Sequence, residues 1–105
     1  MASTPTTRED VLDRLRDQHA AMLALGVRRL ALFGSIARNQ GTAHSDIDLL
    51  VEFEPGRKNY DAWLRLAELL ESPLGRHFDL VTLEGLSPFI GPHILAEAVN
   101  VLRAA

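Results

Sequence analysis

The sequence predicts an α/β domain, a small mixed sheet of three to four strands flanked by helices. Three observations predict it. Apolar, strand-like runs occur at Val27–Phe33, residues 46–54 and residues 76–82. Segments of helical period occupy residues 7–25 and 60–71. A Gly34-Ser35 turn and a polar loop over residues 40–45 separate the first two strands. The first helix and the helix after Phe53 are expected to pack on the sheet. Residues 1–6 read as a mobile tail and residues 7–105 as one domain.

Thr6 with Glu9 three residues later resembles a capping box, so a helix is expected over residues 7–25. Val11, Leu12, Leu15, His19, Met22 and Leu23 share one face, and Gly26 stops the helix. His19 reads as part of that face, not as a ligand. The strand Val27–Phe33 follows, entered by solvated Arg28 and Arg29.

Gly34 ends the apolar run at a point where the chain turns sharply and a ligand can approach the backbone. Ser35 opens a short helix over residues 35–39, where free N–H groups and a hydroxyl suit an anion. Arg38 lies one turn later, within reach of a phosphate or of a surface ion pair. In the loop, His44 precedes Asp46 by two residues and reads as a bystander, and Ser45 as a support for the aspartates.

On the second strand, over residues 46–54, Ile47, Leu49, Val51 and Phe53 form one apolar face. Asp46, Asp48, Leu50 and Glu52 form the other. Asp46 and Asp48 therefore project together, with Cα atoms roughly 6–7 Å apart at ~3.3 Å rise per residue. Such a pair repels itself unless it shares a cation. Mg²⁺ suits it, taking hard oxygen ligands from one or two carboxylates and from substrate phosphates. Phosphate donors beside metal-binding carboxylates suit phosphoryl or nucleotidyl transfer, where catalysis is mostly positioning and charge neutralisation.

Residues 55–59 form a loop in which Arg57 and Lys58 read as solvated. The helix over residues 60–71 turns Tyr60, Trp63, Leu64, Ala67 and Leu70 inward, with Trp63 in the core. In the third strand, residues 76–82, Asp79 interrupts an apolar run, an expensive position unless it is paired or metal-bound. A salt bridge to Arg76 or Arg38 is the competing reading. His77 shares the face of Asp79 and reads as a strand-edge residue. A last helix is expected over residues 92–99. Leu86, Phe89, Ile90, Ile94, Leu95, Val99 and Val101 are more apolar residues than a short tail needs, and serve the core or a contact surface.

Composition narrows the class. The chain has 105 residues, of which 47% are hydrophobic, so a core without staples is feasible. It has no cysteine, which excludes disulfides and thiolate metal sites. With no leader-like or long apolar segment, the expectation is a cytoplasmic protein with no membrane contact. The net charge of −3 argues against a long nucleic acid as partner.

Gly34-Ser35, ten intervening residues and then Asp46-Ile47-Asp48 resembles the signature of the DNA polymerase β-like nucleotidyltransferase superfamily. The flanking LFGSIAR and SDIDLLVEF resemble its minimal nucleotidyltransferase (MNT) branch, over about residues 27–102. Asn39 departs from the Gly common after Ala-Arg; Asn tolerates left-handed backbone. The resemblance implies the polymerase β-like fold and metal-assisted transfer with one or two Mg²⁺. It implies Asp46, Asp48 and Asp79 as catalytic metal ligands, and Gly34 and Ser35 as contacts to the phosphates of ATP or another nucleoside triphosphate; Arg38 joins them as a candidate phosphate contact by its place one turn after Ser35.

The same resemblance implies a partner. MNT proteins are often encoded beside a HEPN-domain toxin and act as its antitoxin by moving AMP from ATP to a toxin tyrosine. Two alternatives stand beside this reading. One is an antitoxin that neutralises by binding alone. The other is a homodimer that modifies a small molecule.

Overall fold

The computed structural model describes Pro5 and residues 7–42 and 44–104. Its elements run α1 (Arg8–Arg16), α2 (His19–Ala24), β1 (Val27–Phe33), α3 (Gly34–Ala37), β2 (Ile47–Phe53), α4 (Tyr60–Leu74), β3 (Phe78–Thr82), a 3₁₀ turn (Leu83–Gly85), α5 (Gly91–Glu97) and β4 (Val99–Arg103). The four strands form one mixed sheet in the order β3-β2-β1-β4. β1 pairs antiparallel with β2 and with β4, and β2 pairs parallel with β3 through the α4 crossover. This is the α/β architecture that the sequence predicts.

Alternation along the strands divides the sheet into two faces. Ile47, Leu49 and Val51 of β2 join Leu30 and Leu32 of β1 in a core completed by α1, α2 and α4. Val11, Leu12, Leu15 and Met22 enter it from α1 and α2, and Leu66, Leu70 and Leu74 from α4. The opposite face carries Asp48 and Leu50 of β2 beside Asp79 and Val81 of β3. Leu50 is buried, so this face is covered just beyond the aspartates.

Several elements depart from their expected bounds. The first helix is two, broken at Asp17 and Gln18, where Gln18 leaves the helical region. The break keeps Met22 in the core but turns His19 and Leu23 outward, so the single face drawn from periodicity is wrong beyond Leu15. The cap is Thr7, whose hydroxyl accepts the Asp10 N–H at 3.2 Å; Thr6 lies outside the described residues. So does the expected tail, except Pro5. Pro5 is buried and accepts a hydrogen bond from Arg76, which removes it from the mobile segment.

α4 runs to Leu74, past Pro73, because Leu74 is fully buried and Gly75 supplies the left-handed stop at φ 61°. Its inward stripe is Ala62, Leu66, Leu70 and Leu74, which shares only Leu70 with the expected set. Tyr60 and Leu64 are exposed. Trp63 packs against the core edge, donates to the Leu80 carbonyl at 3.3 Å and stacks on Tyr60. At the C-terminal end, α5 stops at Glu97 and a fourth strand follows. Val101 and Leu102 are buried against the sheet, while Phe89 and Ile90 stay exposed.

Candidate nucleotidyl-transfer site

The site is built where β1 turns into α3. The register places Phe33, the last residue of β1, opposite Asp48 of β2. Gly34 then adopts φ 80°, a conformation that L side chains rarely take. A Cβ added there would overlap Oδ2 of Asp48. Only glycine lets the turn lie this close to the carboxylate. Ser35 follows, half-buried in the single turn of α3. Asn39 takes up a left-handed φ of 59° just after that turn, as its side chain permits.

The acidic residues meet on one face. Asp46 immediately precedes β2 and Asp48 lies within it. Asp79 stands in register with Asp48 on parallel β3. Asp46 and Asp79 are more than half exposed. Asp48 is half-buried, and its pKa is raised by desolvation first, then by the negative charges of Asp79 and Asp46; Arg38 opposes the shift. Crowded carboxylates of this kind gain from a shared cation.

His77 completes the cluster. Its Nδ1 lies 3.1 Å from Asp46 Oδ1 and its Nε2 lies 3.9 Å from Asp79 Oδ1. Asp46, His77 and Asp79 offer ligand atoms that all fall within 4.8 Å of one another. The histidine beside the carboxylates is thus His77, two residues before Asp79 and at the edge strand, as its sequence position suggests. Period-two alternation put it on the correct face; its reach to Asp46 depends on the β2–β3 pairing. His44 is exposed, and its backbone N–H serves the loop by bonding the Thr42 hydroxyl.

The loop ahead of Asp46 is braced from below. Ser45 Oγ accepts the Thr42 N–H at 2.9 Å. Arg76 donates to the carbonyls of Thr42, Ser45 and Pro5. One guanidinium therefore ties the loop and the first described residue to the start of β3.

On the other side, Arg38 does not extend freely toward solvent. It donates to Glu97 Oε2 at 2.9 Å and to Gln40 at 3.2 Å. Glu97 Oε1 accepts the Gly34 N–H at 3.2 Å. The Arg38 guanidinium, with a smaller contribution from the Gly34 N–H, holds the Glu97 carboxyl below its usual range against partial desolvation. Nothing in the local sequence announces Glu97, because it reaches the site from α5, about sixty residues further along the chain. Arg57 and Lys58 are occupied elsewhere, on the Ala24 carbonyl and on Glu84.

Gly34, Ser35, Arg38, Asp46, Asp48 and Asp79 are therefore brought to one end of the sheet by the β1–α3–β2 unit and β3. Among the described residues, no helix is long and apolar enough to cross a membrane.

Residues 18–104 match the family model described as Polymerase beta, Nucleotidyltransferase. A Methanocaldococcus jannaschii protein classed as a candidate protein adenylyltransferase, MJ0435, is 44% identical over 81 residues, 77% of this chain and 86% of its own. The protein adenylyltransferase MntA of Thermococcus cleftensis is 38% identical over 78 residues, 72% of this chain and 76% of its own. Among solved structures, a candidate minimal nucleotidyltransferase is similar at TM-score 0.68 and 38% identity, over 84% of this chain and 93% of the other. A point mutant of the toxin–antitoxin MntA–HpeT is similar at TM-score 0.60 and 28% identity, over 96% and 75%.

Proposed function

The chain belongs to the polymerase beta nucleotidyltransferase family, and from that premise we propose that it is a protein adenylyltransferase that acts as the antitoxin to a HEPN-domain toxin. It would take AMP from ATP and transfer it to a tyrosine of that partner. The observation that carries this reading is the convergence of Asp46, Asp48 and Asp79 on one face, with Asp48 directly against the Gly34 turn. The relatives described as protein adenylyltransferases and the similar toxin–antitoxin structure support the reaction and the kind of partner.

The donor set fits Mg²⁺. The three carboxylates supply hard oxygens, and Asp48 is under like-charge strain that a cation would relieve. Asp46, Asp48 and Asp79 would hold one or two such ions, which when bound neutralise the triphosphate and lower the pKa of the attacking hydroxyl.

The remaining steps belong to the chain's own groups. The Gly34 N–H, the Ser35 hydroxyl and Arg38 bind the β and γ phosphates and set the triphosphate in line with the acceptor. The tyrosine oxygen attacks the α-phosphorus. A new O–P bond forms, the bond to the bridging oxygen breaks, and pyrophosphate leaves with the electron pair. Asp79, exposed at the rim, accepts the phenolic proton. His77, bonded to Asp46, keeps that carboxylate turned toward Asp79.

The acceptor is a partner side chain, a reading supported by the likeness to a toxin–antitoxin structure. The test is incubation with the protein encoded beside it, Mg²⁺ and each labelled nucleoside triphosphate, followed by mass spectrometry. The expected result is a gain of AMP on a partner tyrosine that disappears with Asp46→Asn. A tight, silencing complex without label would overturn transfer and leave neutralisation by binding.

A further inference from the structure

We propose that Glu97 is an internal competitor for the substrate's triphosphate: its carboxylate occupies the Gly34 N–H and the Arg38 guanidinium, and phosphate must displace it to bind. The inference rests on the reading that Gly34 and Arg38 are phosphate contacts, and it adds a regulating residue to that site.

The geometry is that of one anion held by two donors. Oε1 takes the Gly34 N–H at 3.2 Å and Oε2 takes Arg38 at 2.9 Å. Two oxygens of one phosphate would claim the same pair. These contacts are charge-assisted, and one anion satisfies both at once, so a carboxylate and a phosphate exclude each other there. The negative charge of Glu97 also adds to that already crowding Asp48.

The element that carries Glu97 is lightly anchored. Within α5, Gly91 alone is buried; Pro92, His93, Leu95 and Ala96 are exposed and Ile94 is half-buried. Displacing its last residue therefore uncovers little core. At the site end of α5, Glu97 itself joins the helix to Gly34 and Arg38, with only Ala98 between it and β4. Triphosphate binding then does two things: it fills the anion contacts and releases the end of α5. ATP affinity is set by the difference between two anions, not by the phosphate contacts alone.

The experiment is calorimetric titration of the full chain with ATP and Mg²⁺, comparing wild type with Glu97→Ala and Glu97→Gln. Removing the competitor should tighten binding by about three- to tenfold in Glu97→Ala. Glu97→Gln, which keeps the shape and loses the charge, should fall between that variant and wild type. Unchanged or weaker binding in both variants would overturn the proposal, since Glu97 would then be inert or would be positioning Gly34 and Arg38 for the phosphate. Ser35→Ala, which leaves the Glu97 contacts untouched, separates the two readings. If Ser35→Ala also leaves ATP binding unchanged, the phosphate assignment itself has failed; if it weakens binding, only the role of Glu97 is at issue.

Discussion

Asp48 and Asp79 face each other in register across the parallel pair β2 and β3, so two carboxylates are fixed side by side by backbone hydrogen bonding alone. Their separation does not depend on a flexible loop. The sheet itself holds the charges that a metal-bound triphosphate would neutralise.

This arrangement costs stability where Asp48 is ionised. Its pKa is raised by desolvation and by Asp79 and Asp46, so the folded state holds the Asp48 proton more tightly than the unfolded chain does. The cost is absent at pH values below the unfolded pKa and fully present above the raised folded one. Asp48→Asn should therefore melt a few degrees higher than wild type at neutral pH. That gain should shrink as the pH is lowered toward the ordinary carboxylate range, around 4. Thermal unfolding in chelator across pH checks this, and a gain that grows in acid would contradict it. Transfer activity should be lost in the same variant.

Asp79→Asn separates chemistry from binding. Asp79 is exposed and sits at the rim, so its replacement should leave the fold intact and nucleotide affinity changed by less than about threefold. Transfer should fall by about a thousandfold, the loss expected when a proton acceptor and a metal ligand go together. Single-turnover transfer and ATP titration on the same preparation check it. Unchanged transfer would remove Asp79 from the reaction.

Gly34→Ala brings a methyl group into Asp48 Oδ2 and forces an L residue to φ 80°. The left-handed conformation alone costs about 1–2 kcal/mol, before any displacement of the carboxylate. Chemical denaturation should show at least that loss, and ATP binding should fall as well, because the N–H at this turn is one of the proposed phosphate donors. A variant of wild-type stability would mean that the turn can relax away from β2.

His77 is predicted to act through Asp46. With two-thirds of its side chain exposed, it contributes little to folding. His77→Ala should lower transfer by about tenfold or more, the usual scale for a group that orients a metal-binding carboxylate. His77→Gln, which retains a hydrogen-bonding end, should recover part of it. Equal activity in all three proteins would reduce His77 to the strand-edge residue that its sequence position suggests.

What the sequence made legible were short-range features. Gly34-Ser35 and Asp46-Ile47-Asp48 are local, and each side chain's face follows from strand alternation. Asp79 stood out because a carboxylate in an apolar run demands a partner. What escaped were contacts set by tertiary pairing. Glu97 and His77 reach the site only once α5 docks and β3 aligns with β2. The break at Asp17 and Gln18 also has no local breaker residue, so helical periodicity ran through it unmarked. In α4 periodicity did not choose between two apolar stripes: Tyr60 and Leu64 match the helical period but face solvent, while Leu66 and Leu74 are buried.

Arg76 links stability to the site in a way that sequence alone could not assign. Its place three residues before Asp79 suggests a salt bridge, yet its guanidinium donates to the carbonyls of Pro5, Thr42 and Ser45. These carbonyls belong to the first described residue and to the loop that delivers Asp46. A planar fork with several donors can serve them together, whereas a lysine ammonium carries its donors at a single point. Arg76→Ala should cost about 1–3 kcal/mol of stability, the range for leaving such groups without their partner. Arg76→Lys should restore only part of it. Because the loop positions Asp46, transfer should fall further than stability accounts for at temperatures where the variant is still folded. Proteolysis of the loop over residues 40–45, compared with transfer rates on the same samples, checks this. A variant that is destabilised but fully active when folded would show that Asp46 is placed by β2 alone.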